Sequence, residues 1–156
     1  MGGIYDHLGG GFCRYSVDGK WFVPHFEKML YDNGQLLGLY SKAYQYSSNV
    51  LFNEKIIETL SWLLNEVCSP ERGIDAAMDA DSEGEEGKFY TWTYPELENQ
   101  LGDDLDWFCQ LYGIKKQGNW ASNVNLLFQT KSYTEVAENF GFTLDAFQDK
   151  LTEVKE

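Results

Sequence analysis

Apolar residues recur at helical spacing in two adjacent stretches. Phe26, Met29, Leu30, Leu37, Tyr40 and Tyr44, with the polar Asn33 in register among them, follow an i, i+3, i+4, i+7 series, and Pro24 stands just ahead, where a helix start tolerates proline. The spacing predicts a helix over 26–47, broken by YSSN. A second helix is predicted over 52–68, with Ile56, Ile57, Leu60, Leu63, Leu64 and Val67 on one stripe and SPERG as its stop. The short connection makes the two an αα-hairpin. Residues 74–93 differ: small residues lead into an acidic, glycine-containing turn and then the alternating FYTW, which predicts two short strands around a loop. Helical spacing returns over 94–101, where Thr93 and Glu96 have the spacing of a capping box, and again over 103–112, 132–139 and 143–154. Residues 1–25, with glycines at 2, 3, 9, 10, 11 and 19, read as loop. The expected class is mainly α, built of helical hairpins with a small β-hairpin near 74–93.

Composition narrows the function classes. The 156 residues carry 12 basic and 25 acidic side chains, a net charge of −13, and no basic patch that could serve phosphates. Neither nucleic acid nor an anionic membrane surface is an expected partner. Twelve of the acids fall in 70–106, against only Arg72 and Lys88, and such a run usually marks a solvated face. Aromatics make up 16% of the chain, enough to line a groove or to fill a core. Cys13, Cys68 and Cys109 are odd in number and widely spaced, so neither a disulfide framework nor a zinc site is expected, and a reducing, cytoplasmic setting is. No apolar run approaches the roughly 20 residues of a membrane span. The first residues lack the features of a signal peptide. No metal or organic cofactor is implied.

The chemistry concentrates between Tyr5 and Asn33. This segment holds both histidines, His7 beside Asp6 and His25 two residues before Glu27, together with the LGGGF run. The run lacks the Gly-Lys-Ser/Thr ending of a phosphate loop and fits tight backbone turns. Histidine titrates near neutrality and suits proton transfer, for example beside a sugar carbonyl; the alternative is a structural role hydrogen-bonding loop carbonyls. Arg14 and Lys20 can meet a carboxylate, of a substrate or of the protein itself. Asp79 and Asp81 in DADSEGEEGKFY would share one face of an extended segment as a carboxylate pair, or form a solvated acidic turn. An EF-hand fails there, because its position five is Glu83 and its position twelve is Tyr90.

Three blocks occur in order: GGIYDHLGGGFCRYSVDGKWFVPHFEKMLYDNGQLL, AMDADSEGEEGKFYTWTYPEL and LYGIKKQGNWASNVNLL. Together they resemble the YyaL-like, spermatogenesis-associated thioredoxin-like family over roughly residues 2–128. Members are long, with an N-terminal thioredoxin-like domain followed by an (α/α)6 toroid similar to six-hairpin glycosidases and N-acylglucosamine 2-epimerases. The resemblance implies that all 156 residues form a single domain, an early piece of that toroid, without the thioredoxin-like part. The family pattern usually has His where Cys13 stands.

The resemblance further implies a cleft at one end of the paired helices. Its expected catalytic residues are His7, His25, Glu27, Asp79 and Asp81, and its expected substrate contacts are Tyr5, Asp6, Arg14, Trp21, Asp32 and Trp92. The implied function is a carbohydrate-active, epimerase- or isomerase-like domain acting on a small-molecule carbohydrate. The alternatives are a non-catalytic binding or scaffolding module and an inactive fragment. A partial toroid would also leave apolar helix faces exposed, favouring self-association.

Overall fold

The glycine-rich opening of the chain is not an unstructured loop but a set of short antiparallel pairs. The computed structural model describes residues 2–69 and 73–155. In it, β1 (Tyr15–Ser16) pairs with β2 (Pro24–His25), and a bridge joins Tyr5 to Phe12. The Arg14 N–H donates to the Glu27 carbonyl at 2.9 Å and the Cys13 N–H to that of Ile4 at 2.7 Å. Asp18 organises the β1–β2 connection by accepting from Ser16 Oγ and from the Phe22 and Val23 N–H groups, contacts that lower its pKa although desolvation opposes them.

β3 (Lys28–Met29) pairs with β4 (Ala77–Met78), and this pairing moves the first helix boundary. Residues 26–29 stay extended, so α1 spans Leu30–Ser47, and the Leu30 N–H donates to the Ala76 carbonyl at 3.0 Å. Pro24 accordingly belongs to a two-stranded ribbon, where a missing N–H is tolerated, rather than to a helix start. Ser48, left-handed at φ 53°, ends α1, and the Asn49 side chain accepts from the Leu51 N–H to cap α2 (Val50–Trp62). A π-helical turn, Leu63–Val67, prolongs α2. The expected αα-hairpin is present, with α1 and α2 packed together. Of the predicted stop SPERG, residues 70–72 lie outside the described residues.

The apolar stripe of the second helix is buried only at its end, at Val67. Lys55, Thr59 and Trp62, at i, i+4 and i+7, are buried, whereas Ile57 and Leu64 are 58% and 67% exposed. The glycine turn explains part of this pattern. Gly10 and Gly11 both have φ +79°; a Cβ on Gly10 would lie 2.6 Å from the Glu58 carbonyl oxygen, and one on Gly11 2.8 Å from the Trp62 indole. Backbone without side chains therefore packs directly on α2. The polar groups such a contact buries need partners, and Lys28 supplies one by donating to the Gly10 carbonyl at 2.7 Å.

The 74–93 segment holds β4 and a hairpin of β5 (Asp81–Ser82) with β6 (Glu85–Glu86). Glu83 and Gly84, at φ 54° and 83°, make the two-residue turn that right-twisted strands favour. The part of this segment up to Phe89 completes one compact unit, Ile4–Phe89.

The second unit is built chiefly from Tyr90 onward. In it β7 (Thr91–Thr93) leads into α3 (Tyr94–Leu101) through the capping box expected at Thr93 and Glu96. Next come α4 (Leu105–Tyr112), β8 (Val124–Leu126) paired with β7, α5 (Tyr133–Phe140) and α6 (Leu144–Lys155). Trp107, Phe108, Leu111, Val136 and Phe147 fill its core. Asn125, fully buried, bonds the Lys115 N–H and carbonyl as a strand would, which orders the irregular 113–123 connection.

Four glycine substitutions separate these roles by urea unfolding. Gly10→Ala and Gly11→Ala should each cost more than about 1 kcal/mol, because both the φ and the space are wrong for a side chain. Gly34 and Gly38 lie inside α1 with nothing within 4 Å of a new Cβ. Alanine at either should stabilise by about 0.5–1 kcal/mol.

Candidate functional site

Apart from Trp92, the residues singled out in the sequence lie within the Ile4–Phe89 unit, in a buried group and a more exposed one. The buried group surrounds Tyr5, whose hydroxyl donates to Glu58 Oε2 and whose ring carries Lys55 Nζ 4.3 Å from its centroid. Lys55 also pairs with Glu58. Asp6 works from both oxygens: Oδ1 accepts from the Leu8 and Gly9 N–H groups at 3.0 Å, and Oδ2 meets Lys28 Nζ at 2.7 Å. Lys28, only 2% exposed, donates as well to the Gly10 carbonyl at 2.7 Å and lies 5.2 Å over the Trp62 ring. His7 is 3% exposed and meets the Tyr5 ring edge-on at 5.5 Å. Asn33, in the first turn of α1, accepts from the Phe12 N–H and donates to the Phe12 carbonyl, holding that residue as a neighbouring strand would.

Cys13 is also buried in this layer, its Sγ 3.9 Å from the Phe26 carbonyl. Burial pushes its thiol up to about 12, with Lys28 drawing it down and Asp6 raising it further. The thiol is therefore protonated at neutral pH and is no nucleophile there.

The exposed group is centred on His25. Its ring stacks on Tyr15, the opposing residue in β1, with centroids 4.9 Å apart and planes 15° from parallel. Nδ1 lies 3.1 Å from Glu86 Oε1, and Nε2 lies 3.7 Å from Glu27 Oε2. The same Glu27 oxygen takes Arg14 Nη1 at 3.3 Å. Tyr31 first, then Glu27 and Asp32, hold the Arg14 guanidinium above its ordinary pKa. The structure thus gathers His25, Glu27 and Arg14, with Asp32 close enough to act on Arg14 electrostatically.

Glu86 reaches His25 because of a glycine. Gly87, at φ +75°, lies so close to Phe26 that a Cβ would stand 2.4 Å from the ring, and its N–H donates to the Ala80 carbonyl at 2.9 Å. The β5–β6 hairpin can then sit against the segment carrying His25. Asp79 spends one oxygen on the Asp81 N–H at 3.1 Å, and Asp81 pairs with Glu86 in the hairpin register. Trp21 is exposed at the tip of the β1–β2 connection with φ 58°. Trp92 belongs to β7 of the second unit, where its carbonyl accepts from Asn125.

Sequence reasoning passed over Lys28, Lys55, Glu58, Asn33 and Glu86. Lys55 and Glu58 had the spacing of a helical ion pair, but nothing local marks such a pair as buried. Glu86 is one acid among many until the hairpin register brings it to His25.

No protein-family model matches the chain. It is 33% identical to spermatogenesis-associated protein 20 of Homo sapiens over 96% of this chain and 22% of that protein. It is 32% identical to an uncharacterized protein of Caenorhabditis elegans over 99% of this chain and 25% of that protein. Spermatogenesis-associated protein 20 of Mus musculus is 32% identical over 96% of this chain and 22% of its own length. The chain therefore spans about a quarter or less of these relatives. The likenesses support the family resemblance carried by the three sequence blocks.

Two measurements check the site. Gly87→Ala should cost more than about 1 kcal/mol in urea unfolding, since φ and space are again both wrong for a side chain. Cys13 should resist thiol reagents in the native state and react once the chain unfolds. Because its folded pKa exceeds the ordinary 9.0, its contribution to stability is complete below about 9 and is lost as pH rises toward about 12.

Proposed function

We propose that the chain is part of a carbohydrate-processing (α/α) toroid of the spermatogenesis-associated protein 20 family, and that His25 is its proton-transfer group. The observation that carries this reading is the state of the His25 ring: 28% exposed, stacked on Tyr15, held at Nδ1 by Glu86, with Nε2 outside hydrogen-bond distance of Glu27. An imidazole fixed on one nitrogen and accessible on the other is the arrangement general acid–base catalysis uses. Arg14, Glu27 and Asp32 supply polar groups that could orient sugar hydroxyls. The exposed rings of Tyr15 and Trp21 offer apolar faces for a pyranose. In this reading Nε2 removes the proton from the carbon beside a sugar carbonyl and later returns it. His7, enclosed beside Tyr5, serves the fold, and so does Cys13.

A second reading is a binding or scaffolding module. It is favoured by the mutual pairing of Arg14, Glu27, His25 and Glu86, which forms a surface network of side chains. The exposed apolar residues of α1 and α2, among them Leu39, Ile57 and Leu64, suit either reading, as surfaces on which neighbouring helical hairpins of a longer protein would pack.

Incubation with aldoses and ketoses in heavy water separates the readings. Deuterium should appear at C2, and His25→Ala should slow its entry by about 100-fold or more. Sugar binding without exchange would leave the module; neither binding nor exchange would remove the carbohydrate reading altogether. By light scattering, the chain alone should self-associate with rising concentration, and Leu64→Lys should reduce this; a strictly monomeric chain would contradict it.

A further inference from the structure

We infer that Glu86 is the positioning residue that holds His25 in its Nδ1–H tautomer and so makes Nε2 the atom available for proton transfer. An ionised carboxylate accepts hydrogen bonds and donates none. At 3.1 Å, Glu86 Oε1 therefore requires the proton on Nδ1. Glu27 cannot play the same part at Nε2. Its Oε2 lies 3.7 Å away, beyond hydrogen-bond distance, and is engaged by Arg14 at 3.3 Å. The two carboxylates flanking one ring thus have different duties: Glu86 fixes the proton, while Glu27, partly neutralised by Arg14, stands beside the vacant nitrogen.

Ring orientation is fixed along with the tautomer. Stacking on Tyr15 holds the ring plane, and pairing of Tyr15 with His25 across β1 and β2 holds the backbone beneath it. The Glu86 carboxylate comes from sixty-one residues away and arrives through the hairpin that Gly87 allows against Phe26. A surface ion pair formed by chance would need none of this. One carboxylate bonded to Nδ1, a stacked ring and a hairpin seated by a glycine confine the base as catalytic groups are usually confined.

The chemical purpose of this arrangement rests on the reading of His25 as the proton-transfer group, but the tautomer can be measured without a substrate. The chain has only two histidines, and His7, enclosed in the buried group, reports on the fold. Nitrogen-15 NMR of the full chain in alkaline buffer, where imidazoles are neutral, identifies the protonated nitrogen of each ring, with His25→Gln giving the assignment. Wild-type His25 should be Nδ1–H. In Glu86→Ala the majority should shift to Nε2–H, the form an unpartnered imidazole favours in water, while the His7 signals stay in place and Glu27→Ala leaves the tautomer unchanged. Nε2–H in the wild-type protein would overturn the inference without any variant. So would a tautomer indifferent to Glu86→Ala, or one equally sensitive to Glu27→Ala. Should the tautomer behave as expected while C2 exchange is absent, the carbohydrate reading fails and the positioning role of Glu86 stands.

Discussion

The Ile4–Phe89 unit depends on a backbone laid directly against a helix. Gly10 and Gly11 adopt conformations that side chains disfavour and approach the Glu58 carbonyl and the Trp62 indole too closely for any Cβ. Such contact buries peptide groups beside a helix whose own polar atoms are already committed. Lys28 resolves this by reaching across to donate to the Gly10 carbonyl and to Asp6 Oδ2, both at 2.7 Å, with its ammonium over Trp62. Lys55, buried against the Tyr5 ring, pairs with the Glu58 carboxylate. A buried charge is costly alone and tolerable when paired and hydrogen-bonded, so these groups form a set in which each needs the others.

That frame sorts the two histidines. The turn that encloses His7 also fixes the backbone from Phe12 through Arg14, which Asn33 and the Glu27 carbonyl hold from either side. The next residues pair with Pro24 and His25 and place the second imidazole on the surface. One short stretch of chain thus yields a buried histidine and a solvent-facing one. Proton exchange with a ligand needs the latter.

Helix existence was legible in the sequence and helix orientation was not. The capping box at Thr93, the αα-hairpin and the helices over 94–101, 103–112, 132–139 and 143–154 follow local rules, and their boundaries agree within a few residues. The start of α1 was misplaced by four residues because β3 pairs with Ala77 and Met78, a contact invisible locally. The apolar stripe of α2 did not reveal the inner face, because that face is set by neighbours distant in sequence: the glycine turn against Glu58 and Trp62, and the Tyr5 ring against Lys55. The site was legible in part: the sequence picked out His25, Glu27 and Arg14, but Glu86 depended on the hairpin register. The toroid itself remains an implication of the family resemblance.

The most direct test of the buried tie is a double-mutant cycle on Asp6 and Lys28, followed by urea unfolding. Asp6→Ala and Lys28→Met should each cost about 3 kcal/mol, since either strands a buried partner. The double variant should cost far less than the sum, with a coupling above about 1.5 kcal/mol. Costs that add to within about 0.5 kcal/mol would mean the two residues act independently and that the glycine turn is held to α2 by something else.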